Sequence, residues 1–166
     1  MSYREKMVSF NRFGGYHKGF YNDDSDSTKA LLGINYTDFF EDPNDKDFPY
    51  DSAHTLLRGS CHHFALSLQK RFNYTPYIIE GINRRGFHAF CQVYKGRTWC
   101  YIDARGVTTS FDEFMDVAKE FVTDEYIIRK VSLEDIEEWS KDCPYDDEAF
   151  KFAEAIIEKF KNYYEI

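Results

Sequence analysis

A chain of 166 residues is long enough for one domain with a substantial buried core. Its net charge of -8 gives no general attraction for nucleic acid or anionic lipid, and 4 Pro with 9 Gly argue against a disordered or fibrous chain. Aromatic residues make up 19%, so the core should rest on ring packing.

In chain order, the first ten residues carry charge without an apolar run, so no secretory signal is read there, and no later stretch approaches a membrane span. Residues 1–53 hold turn signals at Gly14-Gly15, across 22–27 and across 41–45, with one short helix expected between Thr28 and Phe40. This part is expected to form an N-terminal lobe or a flap. A core of catalytic type follows over 54–131. Phe64, Ala65, Leu68 and Phe72 fall at helical spacing behind Cys61, and Asn73 is a plausible stop. Strands are expected around Tyr77-Ile78-Ile79, over 88–94 and over 99–103, the last two joined by a tight turn. An amphipathic helix (Phe111, Phe114, Met115, Ala118, Phe121) and a strand over 126–131 complete that core. In the final part, 132–166, Ser132 and Asp135 resemble a capping box, Pro144 breaks the chain, and Asp146 or Asp147 can cap a last helix. Its apolar stripe is Phe150, Ala153, Ile156, Ile157, Phe160 and Tyr164. Helix, mostly antiparallel strands, then helices reads as a single α+β domain.

Cys61 opens its helix behind Arg58-Gly59-Ser60. A thiol at a helix start faces the positive end of the dipole and N–H groups with no acceptor inside the helix, and both favour thiolate over thiol. The same N–H groups can meet the oxyanion formed when a thiolate attacks a carbonyl. Most cysteines are simply small buried residues; His88 and Asp103 set this one apart. A hairpin turning on Gly96-Arg97 puts Phe90 opposite Asp103 and His88 opposite Arg105. His88 and Asp103 then share a face as diagonal neighbours, roughly 7–8 Å apart at the backbone. Ala89, Cys91, Val93, Cys100 and Ile102 fall on the other face, a small apolar set suited to packing on the Cys61 helix. A carboxylate beside one imidazole nitrogen fixes the tautomer and leaves the other nitrogen for the thiol.

The run Gly59-Ser60-Cys61-His62-His63-Phe64-Ala65-Leu66-Ser67-Leu68, then His88-Ala89-Phe90 with Val93-Tyr94, then Trp99-Cys100-Tyr101-Ile102-Asp103 with Gly106, resembles the transglutaminase-like core. There a Gly-x-Cys helix start precedes a His-Ala-aromatic strand and a strand ending in Asp. The wider papain-like group, including the arylamine N-acetyltransferases with their Arg-Gly-Gly-x-Cys start, has the same Cys, His, Asp order, and Arg58-Gly59-Ser60-Cys61 is similar to that start. The resemblance implies a papain-like or transglutaminase-like core, the Cys61 helix packed on an antiparallel sheet, with additional C-terminal helices. It also implies Cys61 as nucleophile, His88 as general base and acid, and Asp103 as the orienting acid. The chain departs from the papain pattern where His62 replaces an aromatic and Thr55 replaces the upstream glutamine. Ser60, His54 and Trp99 are the candidates for oxyanion or substrate contacts.

The expected function is a thiol-dependent hydrolase (peptidase, deamidase or amidase) acting through a thioester on Cys61. Its substrate would be a protein or peptide, and the chemistry needs no cofactor. Acyl transfer or transglutaminase-type crosslinking would use the same triad, and a non-catalytic binding or inhibitory protein on this scaffold is the competing class. Cys61 and His88 variants should do most damage, with Asp103→Asn milder. No metal is expected, because adjacent His62 and His63 point about 100° apart on a helix. The acidic run Glu134, Asp135, Glu137, Glu138 reads as a solvated helix face. Four cysteines outside CxxC pairs are expected to be reduced thiols in a cytoplasm, of the source organism or of a host.

Overall fold

The computed structural model describes residues 9–10, 15–21, 27–41, 52–82, 87–118, 125–141 and 146–166. Its strands are β1 (Ser9–Phe10), β2 (Tyr16–Gly19), β3 (Pro76–Gly81), β4 (Phe87–Lys95), β5 (Thr98–Asp103), β6 (Gly106–Thr108) and β7 (Tyr126–Lys130). The helices are α1 (Ser27–Leu32), α2 (Cys61–Phe72), α3 (Phe111–Ala118), α4 (Leu133–Lys141), α5 (Asp146–Lys159) and α6 (Lys161–Tyr164), with 3-10 turns at Tyr36–Asp38 and Ala53–Leu56. The strands lie in the order β1-β2-β6-β5-β4-β3-β7, every neighbour antiparallel, so the fold is α+β. Among the described residues, no helix is long and apolar enough to cross a membrane.

Helix α2 forms where its pattern demands it. Phe64, Ala65 and Leu68 are buried on one side, and Asn73 ends the helix in the left-handed conformation, its N–H donating to the Gln69 carbonyl. The β4–β5 hairpin turns on Gly96 and Arg97, with φ of 64° and 67°. Two positive φ values give the turn whose twist matches the flanking strands. The register follows as the sequence implies: Lys95 faces Thr98, Val93 faces Cys100 and Cys91 faces Ile102.

This register sorts the two faces. Ala89, Cys91, Cys100 and Ile102 join one core with Phe64 and Leu68 of α2 and Phe152 and Ile156 of α5. The other face buries Ile79 and Phe90 against Phe114 and Met115 of α3. Of the residues expected inside, Phe64, Leu68, Ile102, Phe114 and Ile156 are buried. Phe72, Val93 and Phe160 are only half-buried against the core. Phe72 closes the last turn of α2, and Val93 lies near the turn of the β4–β5 hairpin, two residues from Lys95.

The N-terminal third contributes to the same sheet and core. Strand β2 pairs with β6 and sets Gly19 opposite Gly106, and Leu31, Tyr36 and Ala53 lie in the cluster that contains α2. The short helix expected between Thr28 and Phe40 is α1, which ends at Leu32 before Gly33, and a 3-10 turn begins at Tyr36. Gly106 has φ 122°, and a Cβ there would stand 2.3 Å from the Lys18 carbonyl oxygen. Only glycine lets β2 approach β6 this closely. Phe121 and Cys143, which entered the sequence reading, lie outside the described residues.

Candidate active site

The sheet brings His88 and Asp103 together as the hairpin register requires. Nε2 of His88 lies 3.0 Å from Oδ2 of Asp103, with both side chains almost wholly buried. One expectation about the strand end needs correction. Arg105 does not continue β5 opposite His88; the chain turns at Ala104-Arg105, pairing Asp103 with Gly106. The positive φ of Gly106 permits the turn, which folds the Arg105 side chain back onto Asp103.

Asp103 is saturated by donors. Oδ1 accepts from the Arg105 backbone N–H (2.9 Å) and from Nε (3.1 Å), while Oδ2 accepts from Nη2 (2.7 Å) and is the atom facing His88. Burial works against the charge on Asp103, but the Arg105 guanidinium and the His88 contact outweigh it and hold the carboxyl far below the usual carboxylate range. An ionised carboxylate only accepts hydrogen bonds, so Nε2 of His88 carries the proton. Nδ1 is the nitrogen left for Cys61.

Cys61 reaches His88 from the opposite layer through the end of the β4–β5 ladder. Pairing with β5 stops at Cys91, and the Ala89 N–H donates instead to the Cys61 sulfur (3.3 Å). The thiol thus takes the place of a missing strand carbonyl on the residue next to His88, close enough for the two side chains to influence each other. Burial lowers the basicity of His88, but the bond to Asp103 and the influence of the nearby Cys61 more than compensate and raise its pKa above the ordinary 6.5. The approach to Cys61 is shaped by Gly59, whose φ of 105° few other residues adopt. Ser60 then caps the helix start, its carbonyl accepting from the amides of His63 and Phe64.

The proposed helper residues fare unevenly. The Ser60 amide donates to the Thr55 carbonyl (2.8 Å), so it is committed within the loop and unavailable to an oxyanion. His54 lies half-buried on the 3-10 turn that leads into Gly59-Ser60, its carbonyl accepting from Leu57 and Arg58. Trp99 is not brought to the site. It is 41% exposed and packs edge-on against Tyr94 near the hairpin turn, four residues from Asp103, or about 13 Å along a strand. Strand direction, invisible in a motif, separates the two. His62 and His63 pack with ring centroids 4.0 Å apart, His62 also against Trp139 and His63 edge-on to Phe150. Among the described residues no group of three or more His, Cys, Asp or Glu is placed to hold a metal ion.

The sequence reading missed the residues that enclose the triad. The Arg105 guanidinium lies over the ring of Tyr21 (5.0 Å) and near that of Phe114 (5.7 Å), and its Nη2 also donates to the Phe114 carbonyl (2.9 Å). Tyr164, at the far end of the chain, donates its hydroxyl to the Ala104 carbonyl (2.9 Å) and so pins the turn. Trp139 of α4 stacks on Phe87, the residue before His88, and on His62, the residue after Cys61. An arginine two positions beyond the strand-ending aspartate, just before a glycine, was the one local signal available. No protein-family model, no curated protein and no solved structure matches the chain.

Proposed function

We propose that the chain is a thiol enzyme that cleaves an amide or related acyl bond through a thioester on Cys61, with His88 as general base and acid and Asp103 as the orienting carboxylate. The observation that carries this reading is one buried imidazole held by Asp103 through Nε2, with the Cys61 sulfur seated on the amide of the next residue, Ala89. Such a ring can hold an imidazolium beside a thiolate. The order of elements, cysteine at the start of α2, histidine on β4 and aspartate at the end of β5, also suits a papain-like or transglutaminase-like core.

In the reaction, the sulfur lone pair forms a bond to the acyl carbon, and the C=O pair moves onto oxygen. Helix-start N–H groups, that of Cys61 among them, face the resulting oxyanion. Collapse breaks the bond to the leaving group, which takes its proton from His88. Water then attacks the thioester while His88 accepts a proton, releasing the acid and restoring the thiol. An amine in place of water gives acyl transfer. The enclosure of the triad, with His88 1% and Asp103 3% exposed, keeps bulk water from the charged pair.

A second reading, a binding or inhibitory protein that keeps this scaffold without turnover, draws on the burial of Cys61 itself, which is 5% exposed. Iodoacetamide labelling at mildly acid pH separates the two. An activated Cys61 is alkylated far faster than Cys91, whose thiol burial pushes far up, and His88→Ala removes the difference. Equal labelling of all thiols, or none until the chain unfolds, favours the binding protein.

A further inference from the structure

Arg105 is 1% exposed, and its backbone amide, Nε and Nη2 are all engaged. Two prongs and a backbone amide meet Asp103, Nη2 meets the Phe114 carbonyl, and the rings of Tyr21 and Phe114 lie against the guanidinium. Almost wholly buried, Arg105 shares Oδ2 of Asp103 with His88 through its Nη2. We propose that Arg105 is the positioning residue of the site, clamped by Tyr21 and Phe114 so that its fork keeps the Asp103 carboxylate charged and turned toward Nε2 of His88.

The argument is one of charge count and geometry. A working thiolate–imidazolium pair in a dry site adds two charges beside a carboxylate that is already buried. With Asp103 alone, the cluster would carry a net negative charge in a poorly polarisable surrounding, at high cost. With Arg105, thiolate, imidazolium, carboxylate and guanidinium sum to zero. The planar fork also fixes the carboxylate plane, which a single point charge cannot do. Among the described residues, Glu113 and Asp116 of α3 are the other charged groups that act on this cluster. Asp116 acts on Arg105 itself, and Glu113 is paired with His17 of β2 at 3.0 Å. Tyr21, which follows β2, is held neutral by burial. The N-terminal strands therefore supply the roof of the pair, a role for β2 beyond sheet pairing.

This inference rests on the thiol-enzyme reading, and its test separates the two. The rate of Cys61 alkylation by iodoacetamide is followed against pH in the full chain, in Arg105→Gln and in Arg105→Lys, with melting temperatures alongside. Removing a buried cation makes every neighbouring proton harder to lose. Arg105→Gln should therefore move the acid limb of the profile up by about one unit, roughly a tenfold loss of rate on that limb. Arg105→Lys, which keeps the charge, should leave the limb closer to that of the unaltered chain. A merely structural arginine would lower the melting temperature in both variants and leave the limb in place, which overturns the proposal. Should Arg105→Gln fail to fold, the downfield Nε2–H proton of His88 decides in Arg105→Lys. Loss of the fork should broaden it by solvent exchange, and a signal unchanged in position and width overturns the proposal. If the unaltered chain has no His88-dependent labelling at all, both the function and this inference fall. A His88-dependent limb that Arg105→Gln does not move removes this inference alone.

Discussion

Asp103→Asn offers a severe test of the site, because it changes one atom and almost no volume. In the folded chain the two carboxylate oxygens receive the Arg105 backbone N–H, its Nε and its Nη2, and face Nε2 of His88. An asparagine amide must present its NH2 group to one side or the other. Facing Oδ1's partners it meets two Arg105 donors, and facing Oδ2's partners it meets Nη2 and the His88 ring. No flip avoids donor against donor. The larger effect is the guanidinium, left 1% exposed without its counter-ion. Breaking a buried pair in this way costs about 3–5 kcal/mol, a large share of a domain's stability of about 5–15 kcal/mol. Urea unfolding followed by circular dichroism reads this as a drop in midpoint at constant slope. From the sequence, this substitution ranks behind the Cys61 and His88 variants in its damage to function; the Arg105 partner adds a cost in stability that the ranking does not include. A loss below about 1 kcal/mol, the range of an exposed ion pair, would refute the buried Asp103–Arg105 pair and the reasoning built on it.

Leu68→Ala should cost about 2–5 kcal/mol, since Leu68 is fully buried between α2 and its core cluster; a loss near zero in urea unfolding would mean that α2 is not central. Gly106→Ala forces a Cβ to within 2.3 Å of the Lys18 carbonyl at φ 122°, so β2 must move off β6. The positive φ alone costs about 1–2 kcal/mol, and hydrogen exchange at the β2 amides should rise sharply, with unchanged protection counting against the close approach. His88 has a folded-state pKa above 6.5, so its stabilising effect is fully present below that value and fades as pH rises through the folded pKa. His88→Gln should remove this part of the decline in urea midpoint above about pH 6.5; parallel declines in the two proteins would show that His88 is not the group responsible. Asp103 works in the opposite sense, its contribution present above the ordinary carboxylate range and lost as pH falls toward its depressed value.

Sequence alone determined the elements whose signal is local and repeated. The turns of α2, the stop at Asn73 and the Ser132–Asp135 box at the start of α4 are all set by contacts within a few residues, so composition and spacing specify them. The hairpin belongs with them, since a two-residue turn at Gly96-Arg97 fixes the pairings as far as Cys91 and Ile102 and with them the common face of His88 and Asp103. Strands β1, β2 and β6, of two to four residues, were not legible. They are too short for alternation to register, and their stability comes from partners distant in the chain, as in the pairing of His17 with Thr108. Tertiary structure also decided that Cys61 meets His88 across the ladder's end, that Trp99 faces away, and that Arg105 turns back under Tyr21. The physical reason is the same in each case. A motif records which side chains are present, while the direction in which each points is set by strand endings, layer packing and a glycine-permitted turn.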